Sequence, residues 1–120
     1  MRIIDLEKDF QWIAVICQAR GIKTIKKEYL PSTGFIVDGN CFCFVYETNS
    51  KVCFLEHLVS RPSCKSKIVD DMLEQVIEIQ KEKGFELMIA ITTNERVLGK
   101  IKKFGGKAVD GFCALYKKLK

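Results

Sequence analysis

Proline and glycine are scarce, with two prolines and eight glycines in 120 residues. That is too few chain breakers for a disordered or low-complexity chain. No internal repeat and no linker interrupts the sequence. No apolar run approaches the ~20 residues that a membrane-spanning helix requires, so no membrane partner is expected. The opening MRIIDLEKDF carries Asp5, Glu7 and Asp9 where a secretory signal would be apolar. A cytoplasmic protein is the expectation. The chain also lacks a Walker phosphate loop, a dinucleotide-binding glycine pattern and a Ser/His/Asp set.

Hydrophobic residues make up 48% of the chain, enough for a core, and the length suits one domain over residues 1–120. Six cysteines are present, but not as a disulfide framework. Cys17 lies in an amphipathic helical pattern, while Cys41, Cys43, Cys53 and Cys113 lie in strand-like runs. Buried free thiols are the reading that fits. Cys41-x-Cys43 has poor spacing for zinc, which favours Cys-x₂₋₄-Cys with further ligands, so no metal is expected. Cys64 stands in a basic stretch beside Lys65 and Lys67. Charge is uneven too. Lys100–Lys120 holds seven lysines and one acid, although the whole chain carries only +5. This end suits either a polyanion, such as nucleic acid, or a protein partner; it also suits a merely solvated face.

Periodicity gives the elements. Phe10, Ile13, Ala14 and Cys17 follow helical spacing over residues 5–20, with Gly21 as a C-terminal cap. A short strand at Phe35–Val37 leads to a turn at Asp38-Gly39. Cys41–Tyr46 and Val52–Val59 form a hairpin around Asn49-Ser50. A two-residue loop there would set Tyr46 opposite Cys53 and Phe44 opposite Leu55. Both hairpin faces are mostly apolar, so the sheet is expected to be covered on both sides. Val69, Met72, Leu73, Val76 and Ile77 make the stripe of a helix over 67–83. The run FELMIAI, Phe85–Ile91, suits a strand buried on both faces. Asn94 caps a short helix lined by Val97, Leu98, Ile101 and Phe104, and Phe112–Tyr116 is a last strand. The strand-helix-strand unit from Val52 to Ile91 predicts a parallel pair with a right-handed crossover.

The junction LEHLVSRPSCKSKIVDDML, from Leu55 to Leu73, runs from strand through a basic loop to a helix. It resembles the acetyl-CoA motif of the GNAT N-acetyltransferase family, in which a strand ending Val-x-x-Pro precedes a basic loop and a helix. Asn94–Lys107, NERVLGKIKKFGGK, is similar to a later element of that family. The resemblance covers Gly34 onward, with a plausible first helix before it. It implies an α/β (α+β) fold with a mixed, mostly antiparallel central sheet and helices on both faces. It also implies transfer of an acetyl group from acetyl-CoA to an amine.

On that resemblance the cofactor contacts fall on the backbone of Leu58 and Val59, on Lys65, Ser66, Lys67 and Ile68, and on Asn94, whose helix-capping role is the other explanation. A helix start offers unpaired N–H groups and partial positive charge, which suit a pyrophosphate. Two departures stand out. Ile68 and Asp70 occupy the positions of the family's two later glycines, and Ile101 replaces its proton-donating tyrosine. Tyr116 is the nearest substitute donor in the sequence. Glu56 stands where the family often places its general base. The other explanation is an acid that bonds backbone groups or pairs with a lysine. His57 beside it would point to the opposite face in a regular strand and is expected to be a packed histidine. The alternative function is a non-catalytic GNAT-fold binding module, like those seen in bacteriophages as structural or host-interaction proteins, with a degenerate cofactor loop.

Overall fold

A computed structural model describes residues 1–90 and 94–107. Its elements are β1 (Arg2–Ile3), α1 (Leu6–Arg20), a 3-10 turn (Lys27–Tyr29), β2 (Thr33–Val37), β3 (Cys41–Glu47), β4 (Val52–Ser60), α2 (Ser66–Glu82), β5 (Leu87–Ala90) and α3 (Glu95–Lys103). The five strands form one sheet in the order β1-β2-β3-β4-β5. The first three neighbouring pairs are antiparallel. The amides of Glu86 and Leu87 both donate to the Lys51 carbonyl, at 2.8 and 3.2 Å. β4 and β5 therefore start at the same end of the sheet and, as neighbours, run in the same direction. The fold is α+β with a mostly antiparallel sheet, as the sequence predicts.

Alternation along β3 explains why both faces are covered. Cys41, Phe42, Cys43, Phe44 and Val45 are all buried. Phe42 and Phe44 point to the side of α1, in a cluster with Ile13, Ile16, Cys17, Ile36, Val59 and Ile4. Cys41 points the other way, where its Sγ lies 3.7 Å from Met72 Sδ of α2. Farther along that face, Gln80 Nε2 of α2 donates to Glu47 Oε2 at 2.9 Å. The two helices thus sit on opposite faces. α1 starts at Asp5, whose carboxylate accepts from the Glu7 amide. It ends as predicted at Gly21 (φ +79°), where the Gly21 and Ile22 amides return to the Gln18 and Cys17 carbonyls.

Three features differ from the sequence reading, the first being that β5, expected to be buried on both faces, has no buried residue and leaves Leu87 exposed. The strand β1 is new: its two residues pair with Ile36 and Phe35. It is too short to show a period, and it is held by the Arg2 side chain. The hairpin register is also one residue off. Glu47 faces Cys53, Tyr46 faces Phe54, Val45 faces Leu55 and Phe44 faces Glu56. The cause is the turn. Thr48 Oγ1 donates to the Val52 carbonyl at 2.6 Å and accepts from the Ser50 amide at 3.1 Å. With Glu47 facing Cys53, Thr48 comes opposite Val52 and residues 49–51 make a three-residue loop in place of a two-residue one. A one-residue slip exchanges the faces of the β4 side chains from 52 to 56.

The described residues fall into two compact units, Met1–Ile89 and the residues from Ala90 on. In the second, Asn94 Oδ1 caps α3 by accepting from the Arg96 and Val97 amides at 2.9 and 3.3 Å. The expected last strand Phe112–Tyr116, the end of the FELMIAI strand at Ile91, and Cys113 lie outside the described residues. Among the described residues no helix is long and apolar enough to cross a membrane.

Candidate functional site

β4 does not stay regular to its end. Phe44 faces Glu56 and Phe42 faces Val59, so two residues of β4, His57 and Leu58, stand where β3 has only Cys43. This is a β-bulge. His57 takes the extra turn with φ +54°, the one non-glycine residue with positive φ among the described residues. Histidine tolerates that region better than most residues, yet such positions cost about 1–3 kcal/mol and gather at functional sites.

The bulge overturns the expectation that Glu56 and His57 must point apart. The His57 ring turns back to the Phe44 side of the sheet, which also carries Glu56 by register. It packs edge-on against Phe44 and Tyr46, with ring centroids 6.2 and 5.7 Å away. Its Nε2 lies 2.8 Å from the Tyr46 hydroxyl, and that hydroxyl donates to the Tyr29 carbonyl at 2.8 Å. Burial lowers the pKa of His57, against an opposing pull from the Glu56 charge. Burial first, and the same carboxylate second, raise that of Tyr46. Glu56, His57 and Tyr46 thus form one titratable cluster on the α1 face. The sequence reading did not single out Tyr46, because nothing in the apolar alternation of β3 marks its hydroxyl as a partner of His57.

Beyond the bulge, β4 ends in a turn in which the Cys64 amide donates to the Arg61 carbonyl at 3.0 Å. Arg20 of α1 holds the strand end, donating to the Ser60 carbonyl at 2.7 Å and to its hydroxyl at 3.1 Å. Arg61 Nε is buried with no hydrogen-bond partner among the described residues. Helix α2 then opens at Ser66, and Lys65, its N-cap, supplies no side-chain capping bond. Lys65, Ser66 and Lys67 are exposed, and Ile68 is half-buried. Leu58 is half-buried and Val59 is buried against the α1 cluster.

Asp70 and Asp71 do not stand in the first turn of α2, which holds no acid. Asp70 is buried, while Asp71 accepts from Lys67 Nζ at 3.1 Å. Lys67 thus has a partner on its own helix, whereas Lys65 makes no ion pair among the described residues. Asn94 belongs to the second unit and acts there as a helix cap.

Cys17, Cys41, Cys43, Cys53 and Cys64 are free cysteines. Among the described residues no group of three His, Cys, Asp or Glu side chains is placed to hold a metal ion. No protein-family model matches the chain, and no curated protein matches it.

Proposed function

We propose that this chain is a GNAT-type N-acetyltransferase that moves an acetyl group from acetyl-CoA to an amine. The observation that carries the reading is the frame of β4 and α2. β4 leaves its ladder at His57–Leu58, and a short turn later α2 opens without a side-chain cap. A bulge takes backbone groups off the ladder, and a helix start presents N–H groups with partial positive charge. The backbone of Leu58 and Val59 would take the amide-bearing arm of CoA. The helix start at Ser66–Ile68 and the Lys65 side chain would take its pyrophosphate. The parallel β4/β5 pair and the resemblance of the junction to the family motif support the same reading. The acceptor amine is unnamed by any feature of the chain.

A second reading is a non-catalytic binding module of the same fold, with its partner at the lysine-rich end. Ile68 in a glycine position and the Lys67–Asp71 pair favour it. Thermal melts with CoA and acetyl-CoA separate the two. A ligand at 100 times its dissociation constant adds ~2.7 kcal/mol to stability. The acetyltransferase reading expects a rise in Tm that Lys65→Ala largely removes, since loss of one charge-assisted hydrogen bond weakens binding by about 1.5–3 kcal/mol. An unchanged Tm at millimolar CoA favours the binding module.

A further inference from the structure

We propose that His57 Nδ1, and not Glu56, is the proton-accepting atom of this site, with Tyr46 as the positioning residue that fixes the ring's tautomer. Its use in acetyl transfer rests on the function proposed above.

The argument starts from a count of protons. A tyrosine hydroxyl has one hydrogen. Tyr46 gives it to the Tyr29 carbonyl, at 2.8 Å. The 2.8 Å approach of His57 Nε2 to the same oxygen must then use a hydrogen on the imidazole. Nε2 is the N–H nitrogen, and in the neutral ring Nδ1 is left with the lone pair. Nδ1 makes no hydrogen bond among the described residues.

The chain from Tyr29 carbonyl through Tyr46 to His57 spans three segments of the fold: the 3-10 turn, β3 and β4. It holds the ring at the one point where the backbone adopts a positive φ. That conformation turns the imidazole onto the Tyr46 side, where a regular strand would have turned it away. Phe44 and Tyr46 flank the ring edge-on. The lowered pKa of His57 keeps the ring neutral near pH 7, in the form that accepts a proton. Among the described residues Glu56 is the only charged group acting on the ring, and Tyr46 is its other titratable neighbour. Among the described residues Glu56 has no hydrogen bond or ion pair to orient it. A base must be held in place to work at a defined distance. His57 is held and Glu56 is not.

In the proposed step the acceptor amine attacks the thioester carbonyl. The C–N bond forms and the C–S bond breaks. The N–H proton passes to His57 Nδ1 while Nε2–H stays on Tyr46 Oη. The imidazolium then returns its proton to the departing CoA thiolate. The products are the acetylated amine and CoA, and the histidine is regenerated. With water in place of the amine, the same proton path yields acetate and CoA.

The chain has a single histidine, so ¹⁵N NMR of the full-length protein reads this ring without ambiguity. The expected result is a neutral Nε2–H tautomer at pH 7.5, and a mixture of tautomers in Tyr46→Phe. An Nδ1–H tautomer, or a tautomer unaffected by Tyr46→Phe, overturns the inference without any cofactor present. Thiol release from acetyl-CoA, with water as acceptor, gives the second arm. The rate should rise with pH through the ionisation seen by NMR. It should fall at least tenfold in His57→Asn, a variant that tolerates positive φ, with acetyl-CoA binding within twofold. Glu56→Gln should keep the rate within threefold and move its midpoint to lower pH, because the carboxylate raises the histidine pKa. A wild-type rate in His57→Asn, or loss of activity confined to Glu56→Gln, overturns the assignment. Absence of acetyl-CoA binding by the parent protein overturns the acetyltransferase reading instead, and the tautomer then decides the proton-accepting atom by itself.

Discussion

Gly34 and Phe44 face each other across β2 and β3, and the Phe44 ring occupies the space that a Gly34 side chain would need. A Cβ built on Gly34 would lie 2.6 Å from both Cδ1 and Cε1 of Phe44, and 3.0 Å from Ile4 Cδ1. Phe44 is fully buried and is the same ring that flanks His57, so it has no free direction in which to move. Gly34→Ala is expected to destabilise the protein by about 1–3 kcal/mol, the usual cost of overpacking. Urea denaturation measures it. Adding Phe44→Leu should make the alanine less harmful than it is beside the intact ring. A strictly additive double variant would show that the two positions do not clash.

Arg2 and Asp9 tie the N-terminal strand to the first helix. The guanidinium donates to both Asp9 oxygens at 2.8 Å and also reaches Asp38. Asp9 is 3% exposed and accepts from the Asp5 amide as well. Asp9→Asn is expected to cost about 1–3 kcal/mol, because a buried group loses its charged partner. The Arg2 hydrogen bond lowers the Asp9 pKa from its usual 3.8, outweighing burial, with help from the Asp5 amide. A depressed carboxylate stabilises the fold fully above its unfolded pKa, and this contribution is lost as pH falls through the folded one. Acid titration of stability should therefore be shallower below pH 4 in Asp9→Asn than in the parent. An identical acid limb would remove Asp9 from the account.

Much of this architecture was legible in the chain, for a physical reason. The stripe Val69, Met72, Leu73, Val76 repeats often enough to define α2, and four of its residues are buried. The alternation of β3 is masked by apolar residues on both faces, which is itself the signal of a sheet covered twice. The same lack of contrast concealed the register, because a slip in β4 exchanges one apolar residue for another. Side-chain bonds of Thr48 chose the loop length, and a single extra residue made the bulge; neither leaves a periodic trace. The candidate cluster was half legible. Glu56 and His57 were visible as titratable neighbours, but their common side depends on a backbone angle at His57.

The thiols should differ sharply in reactivity. Cys64 is half-exposed in the basic turn, whereas Cys17, Cys41, Cys43 and Cys53 are buried. Burial, with the neighbouring Cys41 adding to it, pushes the Cys43 thiol up to about 12. Thiolate is the reactive form, so a buried thiol with a raised pKa is inert. With a maleimide at neutral pH and peptide mapping, Cys64 is expected to label ahead of the four buried cysteines, which react only as fast as the protein unfolds. Cys43 labelling at the rate of Cys64 in the native protein would contradict the packing around β3.

His57 should leave its own mark on stability. Its pKa is lowered from 6.5 in the folded chain, by burial, while an unfolded chain keeps the ordinary value. Between those two values the unfolded state binds more protons, so stability must rise with pH across that window. Well above 6.5 both states hold a neutral ring and the contribution is complete. Below the lowered pKa both are charged and the contribution is gone. His57→Asn removes the titration but keeps a residue suited to positive φ. The difference in unfolding free energy between parent and variant should therefore level off well above pH 6.5 and vary with pH through 6.5 and below, with the parent losing ground as pH falls. Glu56→Gln should widen the window, because the carboxylate that partly offsets the burial is gone. A constant difference between pH 4.5 and 8 would mean that His57 titrates alike in both states, and that the ring is not held neutral by its place in the bulge.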